Sequence, residues 1–190
     1  MGGDLGAGRG EVHACAVLDF WFGEVSPEKH FARDAALDTE IGRRFGVLRD
    51  EVLAADAAGW RDNPETMLAA IILLDQFSRN IHRGTPLAFA ADRKALAFAR
   101  RAVARGDHLT MPATLARWII MPFEHAEDLD AQMRCVALFM VRDPGDMTHW
   151  AKLHLDIIAR FGRFPHRNAI LGRKSTPEEL AFLAAGGFSG

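Results

Sequence analysis

The sequence predicts an all-α protein of about eight helices paired as antiparallel hairpins, with no sheet. Three observations predict it. Six of the eight prolines sit at or next to cap-forming residues, apolar residues recur at steps of three and four, and the sustained alternation of a half-buried strand occurs nowhere. At 190 residues, 49% hydrophobic and 25% charged, the chain has the size of one domain and the composition of an ordinary globular core. Disordered, collagen-like and disulfide-scaffold classes are excluded on the same grounds.

Residues 1–10 are Gly-rich, too polar for a signal peptide, and read as a flexible segment ahead of one domain over 11–190. Helix starts follow at Ser26-Pro27, Asn63-Pro64, Thr85-Pro86, Thr110-Met111-Pro112, Asp143-Pro144 and Thr176-Pro177, because proline's missing N–H costs nothing in the first helical turn. Thr176-Pro177-Glu178-Glu179 adds a capping box. Leu37, Ile41, Phe45, Leu48 and Val52 form one core stripe, and Met67, Ile71, Leu74 and Phe77 another. Ala91, Ala95, Phe98 and Ala102 make a third, followed by Met133, Val136 and Met140, and by Trp150, Ile157 and Phe161. Gly59, Gly84 and Gly106 mark short turns. The four tryptophans are assigned to core packing. Short helices on short loops favour a right-handed stack of hairpins over a closed bundle, because the chain holds an internal repeat.

Cys15 and Cys135 lie in apolar helical stretches without metal-type spacing and read as buried thiols. The longest apolar run, Met67 to Leu74, is too short to cross a bilayer, so a cytoplasmic location is expected. The net charge of −2 conceals four alternating blocks: −7 over residues 1–78, +6 over 79–118, −4 over 119–159 and +3 over 160–190. Of 23 cations 19 are arginine, the planar fork that suits carboxylate and phosphate. A near-neutral total without lysine clusters makes nucleic acid a poor candidate partner.

The repeat carries the chemistry. Phe77-Ser78-Arg79-Asn80-Ile81-His82-Arg83 and Phe161-Gly162-Arg163-Phe164-Pro165-His166-Arg167 share F-x-R-x-x-H-R, each after an apolar helix. In a structural role the cations complement the negative helix end, with Asp75 paired to Arg79 and Asp156 to Arg160 at i, i+4. In a functional role Arg79, His82, Arg83, Arg163, His166 and Arg167 converge on an anionic small molecule or an acidic peptide. Between the clusters, Glu124-His125-Ala126-Glu127-Asp128-Leu129-Asp130 packs four carboxylates around one imidazole. Asp128 and Asp130 read as an acidic helix start, whereas His125 with Glu124 or Glu127 is a candidate acid/base set for an enzyme on an anionic substrate. His154 reads as a hydrogen-bonded histidine at the core edge. Zinc spacings, a Gly-rich phosphate loop and a nucleophile elbow are all missing from the sequence, so no metal or cofactor is expected.

Leu74 to Gly84, Pro122-Phe123-Glu124-His125-Ala126-Glu127, and Arg163-Phe164-Pro165-His166-Arg167-Asn168 with Gly172 resemble the bacterial domain of unknown function 924 family. Val17-Leu18-Asp19-Phe20-Trp21-Phe22-Gly23 is similar to that family's opening, and the similarity runs from about Val12 to Ala185. The resemblance implies a tetratricopeptide-like helical fold and brings no established activity or catalytic residues.

Overall fold

The computed structural model describes residues 5–54, 59–60 and 63–188. Among these residues the protein is all-α, and no strand occurs. The helices are α1 (Leu5–Asp19), α2 (Ala35–Ala54), α3 (Pro64–Ile72), α4 (Ser78–Ile81), α5 (Asp92–Arg105), α6 (Asp107–Thr110), α7 (Ala113–Glu124), α8 (Leu129–Arg142), α9 (Asp146–Phe161) and α10 (Pro177–Ala184). Eight of them run eight residues or longer, and α4 and α6 are single turns. α1 already includes the second half of the segment 1–10, and residues 1–4 lie outside the described part.

The centre of the molecule is α3 with its continuation. A π-helical turn, Leu73–Phe77, joins α3 to α4, and every residue from Thr66 to Ser78 is buried. One extra residue per turn changes the facing of whatever follows, so Asp75 and Gln76 are carried to one side while Leu73, Leu74 and Phe77 stay in the core. α1 packs on α3, and α2 packs on the π turn and α4. α5 and α7 also pack on α3, and α8 packs against both of its chain neighbours, α7 and α9. A second small cluster, Ile157, Ile158 and Phe164 with Phe161, Phe182 and Phe188, seats the C-terminal turn and α10 on α9.

Four of the proline starts open α-helices. Asn63 caps α3 by accepting from the Thr66 N–H, and Thr176 and Glu179 close the expected capping box of α10. Pro112 directly precedes α7, and Pro144 stands two residues ahead of α9. The other two open only 3-10 turns, Pro27–Lys29 and Pro86–Phe89. Helix α2 starts instead where the Asp34 carboxylate accepts from the Ala36 and Leu37 N–H groups, and α5 starts at Asp92.

Some packing expectations are corrected. Met133 and Met140 face solvent, because α8 lies between two helices and buries Ala131, Cys135, Leu138 and Phe139 instead. Cys15 is exposed, while Cys135 is buried as expected. Trp21, Trp60 and Trp118 are core residues, but Trp150 remains 45% exposed beside a cavity. Arg160 pairs with Glu178 across to α10, not with Asp156.

Candidate functional site

The two arginine-rich clusters meet. Arg79 and Arg83 from the α4 region and His166 and Arg167 from the second repeat line one cavity of about 750 Å³, together with Glu124 and His125. The second cluster does not sit on a helix end as the first does. α9 stops at Gly162, whose φ of +70° is the left-handed turn that glycine adopts without strain, and His166 and Arg167 ride on a 3-10 turn behind it. His82 and Arg163 are outside the cavity wall. His82 caps α4 near Arg49 and Asp50, and Arg163 makes a bidentate pair with Glu179, at 2.6 and 2.9 Å.

Asp75 and Asp92 tie the clusters together. Arg79 donates to the Asp75 carbonyl at 2.7 Å, to Asp75 Oδ1 at 3.0 Å and to Asp92 Oδ2 at 3.1 Å. Arg167 reaches the same Asp92 oxygen at 3.5 Å and donates to the His125 carbonyl at 3.0 Å. Its guanidinium lies between the rings of Phe89 and Phe164, 4.7 and 4.4 Å from their centroids. Arg83 makes a bidentate pair with Asp38, at 2.6 and 2.8 Å. Two carboxylates therefore neutralise Arg79 and one neutralises Arg83, but Arg167 keeps only a long ion pair and a buried, unpartnered Nε. Burial and the neighbouring Arg79 charge pull Arg167 down to about 10. At neutral pH it is still a cation, held where a further anion would stabilise it.

The imidazole of His125, the C-cap residue of α7, is positioned by Asp75. Its Nδ1 is 2.8 Å from Oδ1 and 2.9 Å from Oδ2 of Asp75, a residue only 1% exposed. Carboxylate oxygens only accept, so Nδ1 carries a proton, and Nε2 is the ring nitrogen that Asp75 does not engage. Gln76 donates to Asp75 Oδ2 at 2.5 Å. Burial raises the Asp75 carboxyl, but Arg79 and His125 outweigh it and hold the group well below the usual carboxylate range. The imidazole is thus fixed through the side chain of an aspartate and through its own carbonyl.

Glu124, before it, is 4% exposed and places Oε1 3.0 Å from His154 Nδ1, while Oε2 has no hydrogen-bond partner. Glu127 stands apart: it pairs with Arg173 at 2.5 and 2.8 Å and accepts from the Phe164 N–H at 2.8 Å, holding the second cluster in place. His166 is pushed down to about 4, first by burial and then by Arg167, so it is a neutral imidazole at pH 7. Among the described residues no group of three or more His, Cys, Asp or Glu side chains is arranged to hold a metal ion.

Several wall residues are not among the site residues expected from the sequence. His30 and Phe31 come from the loop after Pro27, Phe89 from the turn before α5, and Met147, Trp150 and His154 from the face of α9 turned to the cavity. Asp75 is visible only as an i, i+4 partner of Arg79. Asp92 reads as a favourable first-turn carboxylate of α5, and nothing local reveals that it receives two arginines from distant segments.

The family model described as "Bacterial protein of unknown function (DUF924)" matches residues 17–187. Among solved structures, the Agrobacterium tumefaciens protein ATU0120, itself a protein of unknown function, is 40% identical and superposes with a TM-score of 0.87, covering 93% of this chain and 99% of its own. No curated protein matches. With a match over nearly its whole length, the chain belongs to the DUF924 family of bacterial proteins.

Proposed function

We propose that the protein binds an anionic small molecule in this cavity, on a tetratricopeptide-like scaffold and in the cytoplasm. One observation carries the reading: both repeat clusters, far apart in the chain, contribute cations to a single recess of about 750 Å³ whose remaining wall is largely apolar and aromatic. Arg167 is the anchor, since among the arginines of the two clusters its charge is the least neutralised. Arg33, exposed at the rim, adds a second cation, and Arg79 fixes the frame. A recess of this volume fits a small molecule better than an acidic peptide. No described helix is long and apolar enough to cross a membrane, and Cys15 and Cys135 are unpaired, which supports the cytoplasmic part of the reading.

The test is a calorimetric titration with benzoate and with inorganic phosphate. Wild type is expected to bind at least one of them, and Arg167→Gln to bind it at least tenfold more weakly. Arg163→Gln, outside the cavity, should bind like wild type. Equal affinity in wild type and Arg167→Gln overturns the reading, as does a wild type that takes neither anion.

The Asp75–His125 pair favours a second reading, an enzyme in which His125 Nε2 moves a proton of the anchored substrate. Of the candidate acid/base set, His125 and Glu124 line the cavity and Glu127 is tied to Arg173.

A further inference from the structure

We infer that the cavity's ligand also carries a protonated amine, received by Glu124, so that the site takes a dipolar small molecule with an ammonium group, an apolar body and an anionic group. The inference rests on the small-molecule reading of the cavity and names the ligand class.

Glu124 lines the cavity and is 4% exposed, yet its Oε2 has no hydrogen-bond partner. Leaving a buried carboxylate oxygen unsatisfied is unfavourable, and donors from a ligand remove that cost. Among the described residues the ion-pair partner of Glu124 is the His154 imidazole, through Oε1. His154 Nδ1 faces two acceptors, Oε1 at 3.0 Å and the Trp150 carbonyl at 2.8 Å, so it must hold the proton. That proton goes to the Trp150 carbonyl, and His154 meets Glu124 on the Oε1 side alone, leaving Oε2 to the cavity.

The nearby arginines are directed elsewhere: Arg173 to Glu127, Arg163 to Glu179, and Arg167 to Asp92 and the His125 carbonyl. Around this acceptor set the wall is aromatic. Phe188 lies 4.6 Å from the His154 ring and 6.5 Å from Trp150, and the Trp150 ring is partly open. An unpartnered carboxylate oxygen beside aromatic faces suits an ammonium group, which gains a charge-assisted hydrogen bond and cation–π attraction together. Glu124 is adjacent in sequence to His125, whose carbonyl receives Arg167, so the ammonium and anion subsites share one cavity.

The matched probes are phenethylammonium and 2-phenylethanol, titrated into the full-length protein by calorimetry at pH 7. Wild type is expected to prefer the ammonium at least tenfold. Glu124→Gln keeps the size of the side chain and an oxygen for His154, and it should lose that preference while binding the alcohol as before. Trp150→Ala, at a partly exposed position, should weaken both probes and keep the preference. A wild type without preference overturns the inference without recourse to any variant, and so does an unchanged preference in Glu124→Gln. Because the anion test uses Arg167 and a carboxylate or phosphate, either proposal can fail while the other stands.

Discussion

At the scale of single residues the site is organised around Asp75. It is a buried acceptor for Arg79, Gln76 and His125 at once, and taking a carboxylate out of water is tolerated only with such saturation. Replacing it removes the buried one of Arg79's two carboxylates, leaving Asp92 to pair with it, and frees the imidazole. Asp75→Ala should destabilise the fold by about 3–5 kcal/mol, the usual cost of breaking a buried pair, read from chemical denaturation. Asp75→Asn preserves the shape and separates the two roles. In wild type, ¹⁵N NMR of the His125 ring should show the proton on Nδ1. In Asp75→Asn, with a carboxylate replaced by an amide, the Nδ1–H form should lose its dominance, and a wild-type ring protonated on Nε2 would sink the acid/base reading. The sequence places His125, Arg79 and Arg167 among the candidates because each belongs to a chemically dense run. It does not reveal His30, Phe89 or Glu124's partner His154 as wall residues, since their role comes from tertiary proximity and not from spacing.

At the scale of elements, local chemistry that closes within a few residues was legible and chemistry that depends on a neighbour was not. The α10 capping box is a four-residue device and forms as expected, with the Thr176 N–H donating to Glu179 Oε2 at 2.7 Å and the Glu179 N–H to Thr176 Oγ1 at 3.2 Å. The Pro27 and Pro86 turns end early because a proline start needs a following helix to continue it, which the chain supplies only after Asp34 and at Asp92. The π turn over Leu73–Phe77 has no composition signature at all, yet it sets the direction of Asp75. Helix α10 bears on the site through Glu179, which holds Arg163 and accepts from Asn168 at 3.2 Å below the turn carrying His166 and Arg167. Thr176→Ala should therefore cost about 1 kcal/mol. In thermal melts that is a fall of roughly 2–4 °C for a chain of this size. Hydrogen exchange should quicken in α10 and in the Pro165–Arg167 turn while the amides of α3 keep their protection. Uniform loosening of α3 as well would show that α10 is not a separately anchored element.

At the scale of the whole molecule the net charge of −2 is less informative than the alternation of its blocks. The structure joins blocks of opposite sign: Arg79 and Arg83 of the first positive block reach Asp75 and Asp38 of the first negative one, and Arg173 reaches Glu127. The Arg79–Asp75 and Arg173–Glu127 pairs are partly buried and weakly screened, so added salt should change stability little, whereas acid should change it strongly. The sign follows from the shifts. Burial depresses His166 to about 4, with Arg167, His154 and Arg173 opposing its protonation and Glu127 favouring it, and burial likewise lowers His30, His82 and His108. For these groups the unfolded chain binds protons first, so stability is complete above the ordinary histidine value near 6.5 and declines as pH falls toward 4. Glu179, held down to about 2 by its hydrogen bond from Arg163, extends the loss below the ordinary carboxylate range. Melting temperature should thus be level above pH 7, fall between pH 6.5 and 4, and fall again below. His166→Asn removes one titrating group and should flatten the first decline without abolishing it. A wild-type melting temperature constant from pH 7 to 4.5 would mean that these imidazoles are hydrated in the folded protein, against the burial that lowers them.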